Sequence, residues 1–246
     1  APYASTAKDR PVLTAVCLTL AEPMEVAAAD GFRLAVRTLR SGFPGGGGRK
    51  VLAPADSVGV LAHLWKLAPP PAEQGEGKSV AELVVSRRPM ELQVGGKILR
   101  VRFGEVTVWV QLIEGSYPNY VQLIPTGYKS RLTFLVEELT RAVKTVQGMA
   151  VDGSGIVRFR YEPGRLTVKA IAAEVGNVET SIPIQLEGEA GWIGFSSKYL
   201  LDYLKGREGV IVLELNAPAN PGTFIHRGEK VVVMPMFIQG EDKGTP

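Results

Sequence analysis

The chain has 246 residues, 45% of them hydrophobic, and a formal net charge of +3 at pH 7. This length and composition are ample for one large or two ordinary globular domains, and the apolar stretches are far shorter than the roughly 20 residues of a membrane-spanning helix. The charge is too small to indicate a nucleic-acid-binding protein by itself, so function has to be sought in individual segments.

The first segments indicate strands joined by turns. Residues 12–20 are β-branched and apolar, and residues 24–39 indicate two strands joined at Asp30-Gly31, a strong tight-turn signal. Residues 42–48 contain four consecutive glycines but no Lys-Ser ending, so they are interpreted as a connector rather than a phosphate-binding loop.

A helix followed by several strands is predicted next. Residues 56–67 carry apolar side chains at helical spacing, with Asp56 as the expected cap; these side chains are Val58, Leu61, Leu64 and Trp65. Three prolines from Pro69 end this helix. The strand-like runs that follow are residues 81–86, 90–94, 97–103 and 107–113.

The second half repeats the same order. A helix is predicted to begin near Arg131, with one apolar face made of Leu135, Leu139, Ala142, Val143 and Val146. Ser196-Ser197 is predicted to cap a short helix that ends at Leu204. The strands expected around these helices are residues 156–161, 165–170, 178–184, 210–215, 222–226 and 230–234.

A helix followed by about three antiparallel strands thus recurs at roughly 60-residue intervals, which indicates an array of similar modules rather than a single enzyme core. Two modules make one domain, so the sequence predicts an α+β protein with domains at residues 1–128 and 129–246. The boundary is expected within residues 125–130. On this count the first module lacks one strand and most of one helix.

Residues suited to catalysis or metal binding are not clustered in the sequence. His63 and His226 are far apart, and neither has a metal-ligand spacing with a cysteine or a second histidine. Ser196 has no Gly-x-Ser-x-Gly context, and the single Cys17 is expected to be an inert strand residue in a reducing, cytoplasmic protein. We therefore predict no catalytic residue, no metal and no cofactor.

Four segments identify a family. They are Asp30-Gly31-Phe32-Arg33-Leu34 after three alanines, Ser116-Tyr117-Pro118-Asn119-Tyr120, Ile193-Gly194-Phe195-Ser196-Ser197-Lys198-Tyr199-Leu200, and Val232-Val233-Met234-Pro235-Met236. In this order and at these separations, they resemble the beta subunit of bacterial DNA polymerase III, the replicative sliding clamp, in its second and third domains. The resemblance implies the DNA-clamp fold and a non-catalytic function in processive DNA synthesis.

The resemblance also implies a pocket for short Gln-Leu-x-Leu-Phe-like peptides of polymerases, clamp loaders and repair proteins. The matching residues are Leu13, Ala29, Gly31, Phe32, Arg33, Leu34, Pro125, Val232, Val233, Met234, Pro235 and Met236. Methionine suits such a pocket because its side chain is flexible and polarizable. This chain departs from the family at Ala29 and Phe32, where a small polar residue and a histidine are common, and it continues past the motif with a tail from Phe237 to Pro246.

Clamps of this family line the ring with helices whose cations contact the phosphates of duplex DNA without reading the sequence. Arg141, Lys144, Lys198 and Lys205 are the matching candidates. The alternative is that they pair with carboxylates one turn away, because Glu137 and Asp202 share the same two helix faces.

The family protein has three domains and closes as a head-to-tail dimer, whereas this chain matches two of them. It is therefore a fragment of a longer protein, a short relative that closes differently, as in a ring of three subunits, or an adaptor that binds peptides without encircling DNA. The absence of the first helix predicts that alternate residues of 12–20 are partly exposed.

Overall fold

The computed structural model describes residues 2–7, 9–39, 43, 45–67 and 90–237. The chain divides into two compact units: unit 1 comprises Ala1–Asp30 and Thr38–Pro118, and unit 2 comprises Gly31–Arg37 and Asn119–Pro246. None of the helices within the described ranges is both long enough and apolar enough to cross a membrane.

The helices and strands follow the modular order expected from the sequence. In chain order they are β1 Ala15–Leu20, β2 Glu25–Ala29, β3 Arg33–Thr38, β4 Arg49–Pro54, α1 Ala55–Leu67, β5 Glu91–Gly95, β6 Ile98–Phe103, β7 Val106–Gln111, β8 Ser130–Leu135, α2 Val136–Asp152, β9 Ile156–Glu162, β10 Arg165–Ala172, β11 Gly176–Pro183, β12 Gln185–Gly188, β13 Gly191–Ser196, α3 Ser197–Leu204, β14 Val210–Leu215, β15 Gly222–His226 and β16 Glu229–Val233. Short 3-10 turns occupy Pro11–Thr14 and Val121–Leu123.

Unit 2 contains the same module twice, as β8–α2–β9–β10–β11 and as β13–α3–β14–β15–β16. The strand before each helix pairs with the first strand after the other helix: β8 pairs with β14, and β13 pairs with β9. The registers are equivalent, because Leu135 at the end of β8 lies opposite Val210, and Ser196 at the end of β13 lies opposite Ile156. Two sheets result, in the orders β12-β8-β14-β15-β16-β3 and β11-β10-β9-β13.

The helix starts of the two modules are also equivalent. The Val136 N–H donates to the Gly209 carbonyl at 2.9 Å, and the Ser197 N–H donates to the Gly155 carbonyl at 2.9 Å. Both glycines have positive φ, +85° at Gly209 and +74° at Gly155, which is the left-handed region that glycine enters without a Cβ clash. Each module therefore secures an otherwise unpaired donor of a helix N-terminus in the same way.

The core of unit 2 lies between the helices and the sheets. The buried residues of α2 recur at helical spacing and are Val136, Leu139, Ala142, Val143, Val146 and Ala150. α2 packs against α3 and against β9, β10 and β11. Aromatic rings join the two sheets directly, because Phe195 of β13 lies 5.7 Å from Phe224 of β15 between ring centroids. Phe195 also lies 5.6 Å from Phe159 of β9, and Phe224 lies 4.8 Å from Tyr203 of α3.

Unit 1 contains strands in the orders β2-β1-β4 and β5-β6-β7. Pro54 at the end of β4 lies opposite Ala15 at the start of β1, which is the register that β8 and β14 have in unit 2. β9 in unit 2 pairs on both sides, with β10 and β13, whereas β5 pairs only with β6 among the described residues. The side chains of α1 are half-buried or exposed, and none is buried. Among the described residues, unit 1 thus shows the helix-and-strand module once, whereas unit 2 shows it twice.

The expected partial exposure of alternate residues of 12–20 is wrong for most of β1, although Val12, Thr14 and Thr19 are half-buried. Residues of β1 from Ala15 to Leu18 are buried, as is Leu20, because β1 lies between β2 and β4 and is also contacted by α1. Exposed apolar side chains occur instead on α1 and on the three-stranded sheet, at Val60, Leu67, Ile98 and Trp109.

Several predicted boundaries also require correction. Residues 130–135 form a strand in which Leu132 and Phe134 are buried and Leu135 is exposed, so α2 begins at Val136 and not near Arg131. Asp56 lies in the first turn of α1 rather than before it. Ser196 stands at the predicted N-cap of α3, but its side chain makes no cap hydrogen bond. The predicted strand 81–86 and residues 238–246 of the tail lie outside the described residues.

Candidate functional site

The Asp-Gly turn and the Met-Pro-Met segment are adjacent in unit 2. β3 pairs with β16, with Arg33 opposite Val233 and Leu34 opposite Val232. The ladder continues past both strands, because the Met234 N–H donates to the Phe32 carbonyl at 2.9 Å. Two segments about two hundred residues apart in sequence therefore meet at one end of a sheet.

This end of the sheet exposes apolar side chains. Leu34 and Val232 are each 3% exposed and belong to the core, whereas Phe32 is 57% exposed and Met234 is 43% exposed. A β-ladder normally alternates a buried and a solvated face, so large apolar side chains that emerge side by side at its end require an explanation. A binding surface provides one.

Arg33 fixes this surface to α3. Its side chain is 8% exposed, its Nη1 lies 3.0 Å from Asp202 Oδ2, and its guanidinium lies 4.7 Å from the centre of the Tyr199 ring. The ring of Phe32 stacks on the same Tyr199 ring, with centroids 6.0 Å apart and planes inclined by 28°. Arg33 and Phe32 both contact Tyr199, and Arg33 is itself paired with Asp202. The position of the exposed Phe32 ring is therefore fixed by its packing on Tyr199.

A cavity of about 630 Å³ adjoins Met234. Pro125 and Met234 are the predicted pocket residues that line it; the other lining residues are Gln122, Leu123, Thr126, Gly127, Tyr128, Asn216, Asn220 and Pro221. Its wall thus combines methionine, proline, leucine and tyrosine with two asparagines, a composition suited to apolar side chains and the polar backbone of a short peptide.

The remaining predicted pocket residues fall into three groups. Val232, Val233 and Leu34 are buried strand residues that support the surface from below. Gly31, at φ +96°, forms the turn between β2 and β3. Pro235 is half-buried, and the Met236 N–H donates to the Gly194 carbonyl at 2.8 Å. Leu13 and Ala29 lie in unit 1, where Leu13 is buried in the first 3-10 turn.

Ala29 is held by a buried tyrosine of the second identifying segment. The Ala29 N–H donates to Tyr117 Oη at 2.9 Å. Burial raises the pKa of Tyr117 to about 12, against the lowering effect of the Ala29 hydrogen bond. Tyr117 is therefore a neutral structural group that fixes the strand leading into the Asp-Gly turn.

The four predicted DNA-facing cations are all exposed. Arg141 and Lys144 lie on α2, Lys198 lies on α3, and Lys205 follows α3 directly. The carboxylates expected to neutralise them are engaged elsewhere: Glu137 Oε1 accepts from the Gly209 N–H at 2.8 Å, and Asp202 pairs with Arg33. The Gly209 hydrogen bond lowers the pKa of Glu137, so this carboxylate is held as an anion at the start of α2.

The four cations form no ion pair within the part of the chain that the structure describes. The four cations therefore do not form the ion pairs with carboxylates one helical turn away that were the alternative to a phosphate-binding role. Neighbouring helices thus present unpaired positive charge to solvent.

The two histidines that the sequence offered as candidate ligands lie in different units. His226 is buried and its Nε2 lies 3.0 Å from the Glu208 carbonyl oxygen, far in sequence from His63 on α1. Within the described ranges, no group of three or more His, Cys, Asp or Glu side chains is arranged to hold a metal ion.

Tyr199, Asp202 and Tyr128 are site residues that sequence reasoning did not identify. Tyr199 lies in the third identifying segment, and Asp202 lies on the helix that this segment begins. Both contact Arg33, and Arg33 and Asp202 are 169 residues apart in sequence. The sequence did contain one signal: Arg33 stands between the apolar residues Phe32 and Leu34. A buried arginine at such a position requires a partner carboxylate from elsewhere in the chain.

Comparison with known proteins agrees with this geometry. Residues 121–236 match the family model described as DNA polymerase III beta subunit, C-terminal domain. A beta sliding clamp from Synechocystis is 31% identical over 234 residues, covering 92% of this chain and 57% of that protein, and one from Caulobacter vibrioides is 29% identical over 202 residues, covering 74% and 54%.

Solved structures agree on the fold. The DNA polymerase III beta subunit of Pseudomonas aeruginosa has a TM-score of 0.80 at 22% identity, over 96% of this chain and 61% of that one. The beta sliding clamp of C. crescentus has a TM-score of 0.78 at 25% identity, over 96% and 61%. The fold is thus that of a DNA clamp.

The chain is therefore related along nearly its whole length to the bacterial beta sliding clamps. More specifically, residues 121–236 belong to the family of C-terminal domains of the DNA polymerase III beta subunit. The chain spans 54% to 57% of the length of the two curated relatives described above.

Proposed function

We propose that this chain is the partner-recruiting part of a sliding clamp. It binds short peptide motifs of a polymerase, a clamp loader and repair proteins, and it contributes no catalytic chemistry of its own. The observation that carries this proposal is the exposed pair Phe32 and Met234 at the end of the β3–β16 ladder, beside the cavity that Met234 and Pro125 line. The predicted contributions of Leu13 and Ala29 to the same pocket belong to this proposal.

The second part of the proposal is sequence-independent contact with duplex DNA. Arg141, Lys144, Lys198 and Lys205 are exposed on or directly after two adjoining helices of unit 2 and form no ion pair among the described residues. Such cations contact phosphates and displace counterions, so the contact weakens with salt and permits sliding. In a closed ring, topology retains the clamp on DNA although each contact is weak. We place this activity in the bacterial cytoplasm.

The domain division and the ring form the third part. We propose a middle domain over residues 1–128 and a C-terminal domain over residues 129–246. The presence of two compact units supports two domains, with the change from unit 1 to unit 2 between Pro118 and Asn119, ten residues before the proposed boundary. A ring then requires a further domain from a longer polypeptide or a different arrangement of copies.

Peptide binding tests the recruiting function directly. A fluorescein-labelled Gln-Leu-Ser-Leu-Phe peptide is titrated with the chain, and fluorescence polarisation gives Kd. Met234→Ala removes an exposed apolar side chain at the proposed site and is expected to weaken binding about tenfold. Val210→Ala is the matched control, because Val210 is a 59% exposed side chain of unit 2 outside the site. Equal affinities of the two variants would refute the proposal.

The alternative function is an adaptor that binds peptides without encircling DNA. The chain is incubated with a clamp loader and either nicked circular or linearised DNA, and its retention on the two forms separates the two functions. Trapping on circles that is lost on linearisation indicates a ring. Equal, salt-sensitive retention on both forms indicates an adaptor.

A further inference from the structure

The solvent face of the sheet β11-β10-β9-β13 carries an exposed tryptophan next to an arginine. Trp192 on β13 lies opposite Arg160 on β9, which lies opposite Thr167 on β10 and, beyond it, Ser181 on β11. Their sequence neighbours Ile193, Phe159, Tyr161 and Leu166 are buried, so this row faces solvent. Trp192 is 37% exposed.

The next row on the same face adds positive charge. Arg158 lies opposite Gly194 and opposite Lys169, and Lys169 Nζ lies 3.7 Å from Glu179 Oε2. At the other side of the tryptophan row, Arg165 pairs with Glu162. Arg160 is exposed and forms no ion pair among the described residues. The charge nearest Trp192 is therefore positive and is not balanced by a carboxylate of its own row.

Unit 1 carries a second pair of the same kind. Trp109 on β7 lies opposite Arg100 on β6, and Arg102 stands two residues further along the same face. Trp109 is 64% exposed, although Arg100 is half-buried and its Nη1 donates to Gln93 Oε1 at 3.1 Å. Neither tryptophan ring packs against another aromatic ring in the described part of the chain.

We propose that these two sheet faces bind single-stranded nucleic acid. An exposed indole offers a flat surface on which any base can stack, and an arginine one strand away, about 5 Å between Cβ atoms, is placed to contact the adjoining phosphate. Threonine and serine hydroxyls in the tryptophan row of unit 2 add hydrogen-bond donors. An acidic protein segment would use the cations but has no need of two open indole rings.

This site is separate from the peptide pocket and from the cations of α2 and α3. Those cations are predicted to contact the phosphates of a duplex, whose bases are stacked inside and not available to an indole. Stacking on the two tryptophan rings requires bases that are not paired in a duplex. A clamp would therefore contact duplex DNA through the cations of α2 and α3, and a single-stranded template or displaced strand through the sheet faces.

The experiment measures anisotropy of a fluorescein-labelled 20-mer of thymidylate with the intact chain at low salt. An abasic 20-mer has the same phosphates without bases and reports charge alone. We expect the abasic strand to bind at least about fivefold more weakly to the native chain, because stacking of one base contributes at least that factor. In the double variant Trp109→Leu, Trp192→Leu, we expect the two strands to bind with similar affinity.

The charge contribution is tested separately. Arg160→Gln is expected to weaken thymidylate binding and to reduce the salt dependence of log K by about 0.7, the contribution of one phosphate contact in a single strand. Arg165→Gln is the matched control: it is on the same face and loses the same charge, but its guanidinium is engaged by Glu162, so a change below about twofold is expected.

Three results would overturn the proposal. Equal binding of the thymidylate and abasic strands by the native chain would exclude stacking. An unchanged preference in the double tryptophan variant would exclude these two rings. Displacement of thymidylate by polyglutamate of equal charge, at equal concentration, would indicate an acidic protein partner. None of these readouts uses a peptide motif or a DNA ring, so the proposed recruiting function stands or falls independently.

Discussion

Cys17 shows at the residue scale how burial sets chemistry in this chain. It lies in the middle of β1 with no solvent exposure. Burial is the largest influence on its thiol and raises the pKa from 9.0 to about 11; Lys50 opposes this shift and Glu25 adds to it. A buried thiol that remains protonated is a poor nucleophile, in agreement with an inert strand residue.

Because of Cys17, the free energy of unfolding of the chain is expected to decrease at alkaline pH. Since the folded pKa is raised above the unfolded value, its contribution is fully present below about pH 9 and is lost as pH rises towards 11. We expect unfolding free energy from urea titrations to fall by up to about 2–3 kcal/mol across this window. In Cys17→Ala the fall should be smaller by that amount. An identical pH profile in native chain and variant would contradict this.

Arg33 marks the limit of prediction from sequence at the same scale. The position of Phe32 and Met234 follows from motifs that the sequence displays. The ion pair between Arg33 and Asp202 and the stack on Tyr199 do not, because they depend on how α3 packs against the end of β3, and no local pattern encodes that contact.

Gly148, Gly155 and Gly209 test the module geometry at the scale of single elements. Gly155 and Gly209 need positive φ to present their carbonyls to Ser197 and Val136, whereas Gly148 sits in the exposed interior of α2 with no atom within 4 Å of an added Cβ. We expect Gly155→Ala and Gly209→Ala each to destabilise by about 1–2 kcal/mol. Gly148→Ala should stabilise by about 0.5–1 kcal/mol.

Thermal or urea unfolding of the three single variants measures these effects. The opposite sign of Gly148→Ala is the control for the general effect of adding a methyl group. Stabilisation by all three variants would mean that the left-handed turns before β9 and β14 are not required.

Sequence reasoning missed strands that precede helices, namely β4, β8 and β13. β8 is the clearest case, because it continues from Leu135 into Val136 of α2 without a polar residue between strand and helix. In residues 130–135 the buried Leu132 and Phe134 alternate with more exposed neighbours, a strand pattern. The helical spacing that begins at Leu135 extends this apolar pattern without interruption, so the two periods merge in the sequence. Strands bounded by Gly or Pro on both sides, such as β9 between Gly155 and Pro163, were predicted nearly to their ends.

At the scale of the whole molecule, the two units differ in how completely they repeat the module. Unit 2 has two helices packed on each other with buried faces, whereas α1 of unit 1 buries no side chain. Local stability follows buried apolar contact, so the helices should open with different free energies.

Hydrogen exchange measures this difference. We expect amides of α1 to exchange at least about tenfold faster than those of α2 in the native chain, since exchange of α2 requires loss of the core of unit 2. Within unit 2, α3 is the internal comparison and should be protected like α2. Equal protection of α1 and α2 would contradict the incomplete burial seen in unit 1.

The recruiting surface of unit 2 is the central claim, and methionine-methyl NMR with the Gln-Leu-Ser-Leu-Phe peptide tests it most directly. The chain has five methionines, so 13C-methyl labelling gives one signal for each of Met24, Met90, Met149, Met234 and Met236. We predict that the peptide shifts Met234 most, shifts Met236 measurably, and leaves Met24 and Met149 unchanged. A peptide that shifts none of the five signals, or shifts Met90 of unit 1 in place of Met234, would contradict the account.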